Sequence, residues 1–258
     1  MDIYTDFAAM YDILMEDIPY DLWAGYIEKI LKKHGIDKGL VLELGCGTGT
    51  MTRKMAAKGY DMIGIDLSED MLSIARQKSE GKDDGILYLC QDMREFELYG
   101  TVAAIFCVCD TMNYMLTADD LSKVFRLASN YLDPGGLFIF DMDTRYLYEK
   151  VLADNTVYIE HEKGSIIWEN NFYPEEIINE VNLTMFIKQE NSLYRKYQEV
   201  HTRRAYDVET VSRLLDEANL DMIGAYHELT DRPPRLDSER IYIIARERYH
   251  SNKLYLCR

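Results

Sequence analysis

Three alternate glycines follow an apolar run near residue 45, and an acidic residue comes just before them. The segment reads Glu43-Leu44-Gly45-Cys46-Gly47-Thr48-Gly49. Glycines lack a Cβ, so a ligand can lie against the backbone where the next helix begins. A pyrophosphate is disfavoured beside a carboxylate, and the dinucleotide spacing G-x-G-x-x-G is not met because residue 50 is Thr. The pattern favours a positively charged ligand that carries an amino group, with NAD as the alternative.

Three further segments with polar ends come after the glycines. Asp66, Asp92 and the pair Cys109-Asp110 each stand at or just beyond the end of an apolar run. The carboxyl ends of parallel strands lie at one edge of a sheet, and α/β proteins bind their ligands there. We therefore expect these residues and the glycine turn to form one ligand site.

The histidines do not have the spacing of a metal site. They are His34, His161, His201, His227 and His250. We expect no metal, because zinc sites place their ligands at short and regular intervals. His161 and His201 could each act as a general base near neutral pH, and a surface or cross-strand role is the ordinary alternative for both.

Alternating strands and helices position these residues. The apolar runs Leu40–Leu44, Met62–Asp66, Ile86–Cys90, Val102–Val108 and Leu137–Phe140 predict five strands. Ser68, Thr117 and Asp207 are typical N-cap residues, and each begins a predicted helix. Two more strands are predicted near residues 222–227 and 241–245. Strands that are apolar throughout indicate a parallel sheet covered on both faces. The fold class is therefore α/β, with a doubly wound, mostly parallel sheet of seven strands.

Between residues 144 and 205 the pattern changes to strict alternation. Val181, Leu183, Met185 and Ile187 are two apart, with polar residues between most of them, which predicts about four antiparallel strands. The segment begins at the end of the fifth strand, so it emerges at the ligand edge. We predict a core of residues 1–143 and 206–258, with an inserted β lobe of residues 144–205 that covers the site and binds substrate.

Composition excludes several classes of protein. The net charge of −16 disfavours a nucleic-acid partner, and no apolar run approaches the roughly 18 residues of a membrane helix. The N-terminus has no secretory pattern, so a cytoplasmic location is expected. Of the five cysteines, Cys46, Cys90, Cys107 and Cys109 lie in or beside apolar runs. We interpret them as reduced core residues.

The glycine segment resembles the first motif of the class I S-adenosylmethionine-dependent methyltransferases, which reads acid-x-Gly-x-Gly-x-Gly. Residues 43–49 match this motif throughout, and Pro134-Gly135-Gly136 and residues 238–245 also fit the family. Residues 4–12 resemble a segment that folds over the cofactor in small-molecule members. The β insertion is similar to that of glycine and amino-sugar N-methyltransferases. The resemblance implies a Rossmann-like core that binds S-adenosylmethionine.

The resemblance also implies roles for single residues. Asp66 would bind both ribose hydroxyls, Asp92 would receive the adenine amino group beside Met93, and the Cys109 carbonyl would accept from the amino group of the methionine part. Tyr4 and Tyr11 could lie beside the sulfonium, where an aromatic ring favours a cation. The predicted cofactor site comprises Tyr4, Tyr11, Glu43, Gly45, Cys46, Gly47, Gly49, Asp66, Leu67, Met71, Asp92, Met93, Cys109 and Asp110. Candidate substrate residues are Asn113, Tyr114, Tyr146 and Trp168.

The predicted activity is direct in-line transfer of the sulfonium methyl group to a nitrogen or oxygen of a small molecule, with nitrogen slightly favoured. Catalysis would come mainly from holding the two reacting atoms close and aligned. Candidates for a general base are His161, His201 and Tyr11. The alternatives are a cofactor-binding protein without activity and a nicotinamide-dependent oxidoreductase. A monomer or a homodimer is expected, and the sequence does not identify the methyl acceptor.

Overall fold

The apolar runs of the first half of the chain form the centre of the molecule. The computed structural model describes residues 18–81, 84–153, 155–189, 193–249 and 253. The strands are β1 (Leu40–Leu44), β2 (Asp61–Asp66), β3 (Leu87–Cys90), β4 (Val102–Cys107), β5 (Leu132–Asp143), β6 (Thr156–His161), β7 (Gly164–Tyr173), β8 (Ile178–Lys188), β9 (Tyr194–Arg204), β10 (Leu220–His227) and β11 (Arg240–Glu247). The α-helices are α1 (Tyr20–Lys33), α2 (Thr50–Ala56), α3 (Glu69–Ser79), α4 (Ala118–Tyr131) and α5 (Val208–Glu217).

Seven strands form the larger sheet, in the order β10-β11-β5-β4-β1-β2-β3. The pairs among β1 to β5 are parallel, whereas β11 runs antiparallel to both β5 and β10. Alternate side chains point to opposite faces of the sheet. Leu42 and Leu44 pack with α4 and α5 on one face, and Val41 packs with α1 and α2 on the other. The prediction of a doubly wound, mostly parallel seven-stranded sheet is confirmed.

The predicted caps begin three helices. The side chains of Ser68, Thr117 and Asp207 accept hydrogen bonds from backbone amides of the first turn. Each bond satisfies a donor that the helix itself leaves unpaired. Ser68, two residues after the end of β2, therefore fixes the start of α3 at Glu69.

The second sheet is antiparallel and has the order β6-β7-β8-β9. On β8, Val181, Leu183 and Met185 are buried, as their alternation predicts. Leu183 and Met185 pack with Met71 of α3, so this inner face of the lobe sheet lies against the core. All four strands fall within residues 144–205.

Other local features differ from the sequence-based expectation. Pro134–Gly136 lie ahead of the predicted fifth strand, Leu137–Phe140, but belong to β5, where the pairing with β4 is irregular. Residues Leu147–Leu152 form a π-helical turn that the sequence did not predict. Cys90 is exposed rather than in the core, because β3 is the edge strand and ends there. Among the described residues, every helix is too short or too polar to cross a lipid bilayer.

Candidate active site

The glycine turn joins the end of β1 to the start of α2. Gly45 has a φ of +70°, which only glycine adopts without strain, and a Cβ there would overlap the Thr111 side chain. The amide of Gly47 donates to Asp66 Oδ2 at 2.8 Å, and the amide of Ser68 donates to Asp66 Oδ1 at 2.9 Å. The carboxylate at the end of β2 is therefore held against the turn at the end of β1.

Burial raises the pKa values of two carboxyl groups next to the turn, those of Asp66 and Glu43. Desolvation raises the pKa of Asp66, although the amides of Ser68 and Gly47 oppose the shift. Glu43 is only 3% exposed, and Thr52 Oγ1 donates to its Oε2 at 2.5 Å. Burial raises the pKa of Glu43 to about 8, and the Thr52 hydrogen bond limits that rise. Together with Cys46, Glu43 lines a small cavity of about 20 Å³.

Asp92 lies just beyond β3 and forms an ion pair that the sequence analysis did not include. Arg94 Nε lies 3.0 Å from both carboxylate oxygens of Asp92. This hydrogen bonding to Arg94 lowers the pKa of Asp92. Asp92, Met93 and Arg94 all line the main cavity. The expected partner of adenine is thus an ionised carboxylate that is already oriented by a guanidinium group.

The chain adopts an unusual conformation where β4 ends. Cys109 and Asp110 have φ values of +67° and +49°, a region that costs a residue with a side chain about 1–2 kcal/mol. Asp141 on β5 accepts hydrogen bonds from both of their amides, at 3.1 Å and 2.9 Å. These bonds hold the Cys109-Asp110 turn at the edge of the cavity.

Asp110 of this turn and four charged side chains around it form a cluster. Arg203 Nη1 lies 2.5 Å from Asp110 Oδ2, and Arg240 Nη2 lies 3.0 Å from Asp110 Oδ1. Arg240 also pairs with Asp141 and Asp143, each at 3.0 Å. Burial raises the pKa of Asp141 to about 6 and that of Asp143 to about 7. Three carboxylates therefore share two guanidinium groups, and no arginine charge of this cluster is left over for a ligand.

One cavity of about 800 Å³ connects the ends of β1, β2 and β3 with the inner face of the lobe sheet. Its volume falls in the range of small-molecule sites. The predicted residues that line it are Gly45, Gly47, Asp66, Leu67, Met71, Asp92, Met93, Cys109, Asp110, Tyr114, Trp168 and His201. They come from both sheets, from the connecting turns and, for Met71, from helix α3.

Trp168, Leu183 and His201 form the lobe wall of the cavity. The indole Nε1 of Trp168 is buried and has no hydrogen-bond partner among the described residues. Opposite, Tyr114 lies on a 3₁₀ turn, Thr111–Tyr114, that follows β4. The Tyr114 hydroxyl is 3.0 Å from His201 Nδ1, and His201 Nε2 is 3.0 Å from Glu199 Oε2.

Several predicted site residues lie elsewhere. Asn113 is fully buried, and its amide group bonds to the backbone of Asp143 and Arg204. Tyr146, His161 and Gly49 do not belong to the cavity lining either. His161 ends β6 at the tight turn into β7, which explains its distance from the cavity. Tyr4 and Tyr11 lie outside the described residues.

Some lining residues were missed by the sequence analysis. The additional charged ones are Arg94, Asp143, Arg203, Glu228, Glu239 and Arg240. Arg94 could have been noticed, since it lies two residues after a predicted ligand. Arg203 and Arg240 stand 93 and 130 residues from their partner Asp110, and no local pattern indicates that pairing.

Comparison with known proteins adds three findings. A family model described as a methyltransferase domain matches residues 41–136. The putative methyltransferase YqeM of Bacillus subtilis (strain 168) is 34% identical over 246 residues, which is 95% of this chain and 97% of that protein. A crystal structure of an S-adenosylmethionine-dependent methyltransferase from Clostridium acetobutylicum ATCC 824 is 27% identical, with a TM-score of 0.85 over 95% of this chain and 99% of that one.

A more distant similarity concerns an enzyme with a known acceptor. The dTDP-3-amino-3,4,6-trideoxy-alpha-D-glucopyranose N,N-dimethyltransferase of Streptomyces venezuelae is 28% identical over 139 residues, covering 53% of this chain and 57% of that protein. The chain is thus similar along nearly its whole length to two proteins described as methyltransferases, and over half its length to one that acts on an amino sugar.

Proposed function

Because the chain belongs to the S-adenosylmethionine-dependent methyltransferases, we propose that it methylates an amine nitrogen of a small molecule held between its core and its lobe. The observation that carries this proposal is the continuous cavity that runs from the glycine turn to the inner face of the lobe sheet. We assign residues 1–143 and 206–258 to cofactor binding and residues 144–205 to acceptor binding.

The cofactor of this family is S-adenosylmethionine, and the residues at the glycine turn fit it. Each Asp66 oxygen accepts one amide and keeps lone-pair capacity, so the carboxylate can also bind two ribose hydroxyls. Gly45 and Gly47 leave the backbone open to the cavity. We assign the adenine end to Asp92 and Met93, and the amino group of the methionine part to the Cys109 carbonyl. The bound cofactor supplies an electrophilic methyl group on a sulfonium.

The charge of the cavity supports a cationic acceptor. Its lining carries six carboxylates, Asp66, Asp92, Asp110, Asp143, Glu228 and Glu239, against three guanidinium groups, Arg94, Arg203 and Arg240. All three guanidinium groups are paired with carboxylates. The remaining negative charge favours a protonated amine over a carboxylate or phosphate. The substrate named for the Streptomyces relative shares the amino group, which there stands on a sugar linked to a nucleoside diphosphate.

The lobe wall suits an acceptor that has polar groups on an apolar frame. Leu147, Leu152 and Leu183 supply apolar surface, the Trp168 ring adds to it, and the Tyr114 hydroxyl supplies a polar group opposite them. Holding the nitrogen close to the methyl group and in line with it is the main catalytic contribution of such a site. A lobe packed against α3 through Met71 keeps that distance fixed.

Transfer of a labelled methyl group tests the proposal. The protein is incubated with methyl-labelled S-adenosylmethionine and matched pairs of compounds, such as glucosamine with glucose and benzylamine with benzyl alcohol, plus phenol. Mass spectrometry should detect methylation of at least one amine and of none of its oxygen counterparts. Methylation confined to an alcohol or phenol would contradict the choice of nitrogen. Lack of transfer to every compound would count against the amine classes tested.

A further inference from the structure

Tyr114, His201 and Glu199 form a continuous hydrogen-bonded chain at the junction of core and lobe. The two contacts, Tyr114 Oη to His201 Nδ1 and His201 Nε2 to Glu199 Oε2, both measure 3.0 Å. The rings of Tyr114 and His201 meet edge to face with their centroids 6.0 Å apart. Tyr114 and His201 line the cavity, whereas the Glu199 side chain is only 4% exposed. The chain thus runs from the cavity surface into the protein.

The turn that carries Tyr114 is tied to β9, the strand that carries His201 and Glu199. The Asn113 side chain donates to the Arg204 carbonyl at 2.9 Å, and Arg204 Nη1 donates to the Leu116 carbonyl at 2.9 Å. Tyr206, two residues after β9, donates to the Met115 carbonyl at 2.6 Å. These three bonds, one before Tyr114 and two after it, therefore fix the turn against the strand. Pre-organisation of this kind is what a proton-transfer pair needs.

The donors and acceptors of the chain can be assigned. A carboxylate only accepts hydrogen bonds, so Glu199 must accept from His201 Nε2–H. A neutral imidazole with a proton on Nε2 offers Nδ1 as an acceptor, so Nδ1 receives the Tyr114 hydroxyl proton. Both ring nitrogens are then engaged within the protein. The phenol oxygen is the member of the chain that can meet an acceptor molecule, and Tyr114 is 41% exposed.

We propose that Tyr114 is the catalytic residue that takes the proton from the acceptor ammonium, and that His201 and Glu199 are positioning residues that receive and stabilise it. This inference rests on the proposed function. An N–H bond of the acceptor breaks and its proton passes to Tyr114 Oη, while the phenol proton passes to His201 Nδ1. The acceptor nitrogen keeps the electron pair with which it attacks the methyl group. Glu199 then faces an imidazolium, and the proton later leaves to solvent.

Kinetics of conservative variants test the inference with an amine that the wild-type protein methylates. Tyr114→Phe keeps the ring but removes the oxygen, and we expect kcat to fall about 100-fold, within the range of general-base contributions. KM for the amine and Kd for S-adenosylhomocysteine should stay within about twofold. Glu199→Gln should lower kcat by a smaller factor, because the amide oxygen still accepts from Nε2–H but carries no charge. Tyr99→Phe serves as the matched control, because Tyr99 is exposed and does not line the cavity.

A spectroscopic measurement tests the chain without any acceptor. In protein with ¹⁵N-labelled histidine and bound S-adenosylhomocysteine, the His201 ring should show the tautomer protonated on Nε2. The signal is assigned by its loss in His201→Asn, and Tyr114→Phe should shift Nδ1 more than Nε2. A tautomer protonated on Nδ1, or a spectrum unchanged by Tyr114→Phe, would overturn the assigned direction of proton transfer.

The two proposals can fail separately. If the wild type methylates an amine while Tyr114→Phe keeps full kcat, the role of Tyr114 is wrong and the proposed function stands. If only oxygen compounds are methylated while the tautomer is as expected, the choice of nitrogen is wrong and the hydrogen-bonded chain is supported. A fall in kcat accompanied by an equal loss of cofactor affinity would indicate a structural role and contradict the inference.

Discussion

Asp141 accepts a hydrogen bond from the backbone amide of Asp110 at 2.9 Å, and through its other oxygen it accepts from the amide of Cys109 at 3.1 Å. One buried carboxylate of β5 thereby holds two consecutive residues in left-handed conformations at the end of β4. The same carboxylate pairs with Arg240. The geometry of the ligand edge thus depends on a residue that does not line the cavity.

We expect Asp141→Asn to destabilise the protein and to weaken cofactor binding. An asparagine offers one acceptor oxygen for the two backbone amides. It also removes one of the carboxylates that pair with Arg240. Breaking a buried ion pair from one side costs about 3–5 kcal/mol in unfolding free energy. Urea denaturation measures that loss, and titration with S-adenosylhomocysteine measures the affinity. The control Asp221→Asn alters a surface pair with Arg248 and should cost less than about 1 kcal/mol. Equal effects of the two substitutions would contradict this account.

We expect Asp66→Asn to weaken binding of S-adenosylhomocysteine about 10- to 100-fold, because charge-assisted hydrogen bonds contribute roughly 1.5–3 kcal/mol. Asp61→Asn is the matched control, since Asp61 is the exposed residue at the other end of the same strand. Thermal unfolding with and without ligand gives the comparison, since a ligand that binds the native state raises Tm. NAD should not raise Tm of either protein. If Asp66→Asn bound S-adenosylhomocysteine as tightly as the wild type, Asp66 would not belong to the cofactor site.

Local sequence signals were sufficient to predict the strands and several helix ends. Apolar runs and cap residues determine structure only within a few residues of their own positions. Ser68 and Thr117 therefore indicate helix starts without knowledge of the rest of the chain. The contact between Gly47 and Asp66 follows from the same reasoning, because β1 and β2 are neighbouring parallel strands that end side by side.

Contacts between distant segments were not predictable in this way. Tyr114 and His201 are 87 positions apart, and their contact depends on how the lobe sheet packs against the core. Asn113 illustrates the same difficulty. Its polar side chain at the ligand edge suggested substrate binding, but it is buried and connects the backbones of Asp143 and Arg204. A polar residue near a site can therefore be a structural bridge, and only its tertiary surroundings distinguish the two roles.

We expect Gly45→Ala to lower both stability and cofactor affinity. The left-handed backbone at this position costs a residue with a Cβ about 1–2 kcal/mol, and the new methyl group would push against Thr111. Gly25→Ala is the matched control, because Gly25 lies inside α1 with open space around a built Cβ. That substitution should raise the unfolding free energy by roughly 0.5–1 kcal/mol, since alanine is the better helix former. Denaturation curves measure the unfolding free energy of both variants. A shift of both midpoints in the same direction would contradict the role given to the Gly45 backbone.

We expect the stability of the ligand-free protein to depend on the ionisation of Glu43. Its pKa is about 8 in the folded protein, against an ordinary value near 4.5. Between these values the folded protein retains a proton that the unfolded chain releases, so the unfolding free energy falls as pH rises through this window. Glu43→Gln carries no charge at any pH, and its amide oxygen can still accept from Thr52.

The quantity to measure is the difference in Tm between Glu43→Gln and the wild type. This difference should be small near pH 5 and grow in favour of the variant up to about pH 8.5. Asp141 and Asp143 also have raised pKa values and contribute with the same sign, but they are present in both proteins and cancel in the difference. Glu95→Gln, at an exposed position, is the control and should show no such trend. A difference that stays constant with pH would mean that Glu43 is already ionised in the folded protein at pH 5, and that its hydrogen bond to Thr52 outweighs the effect of burial.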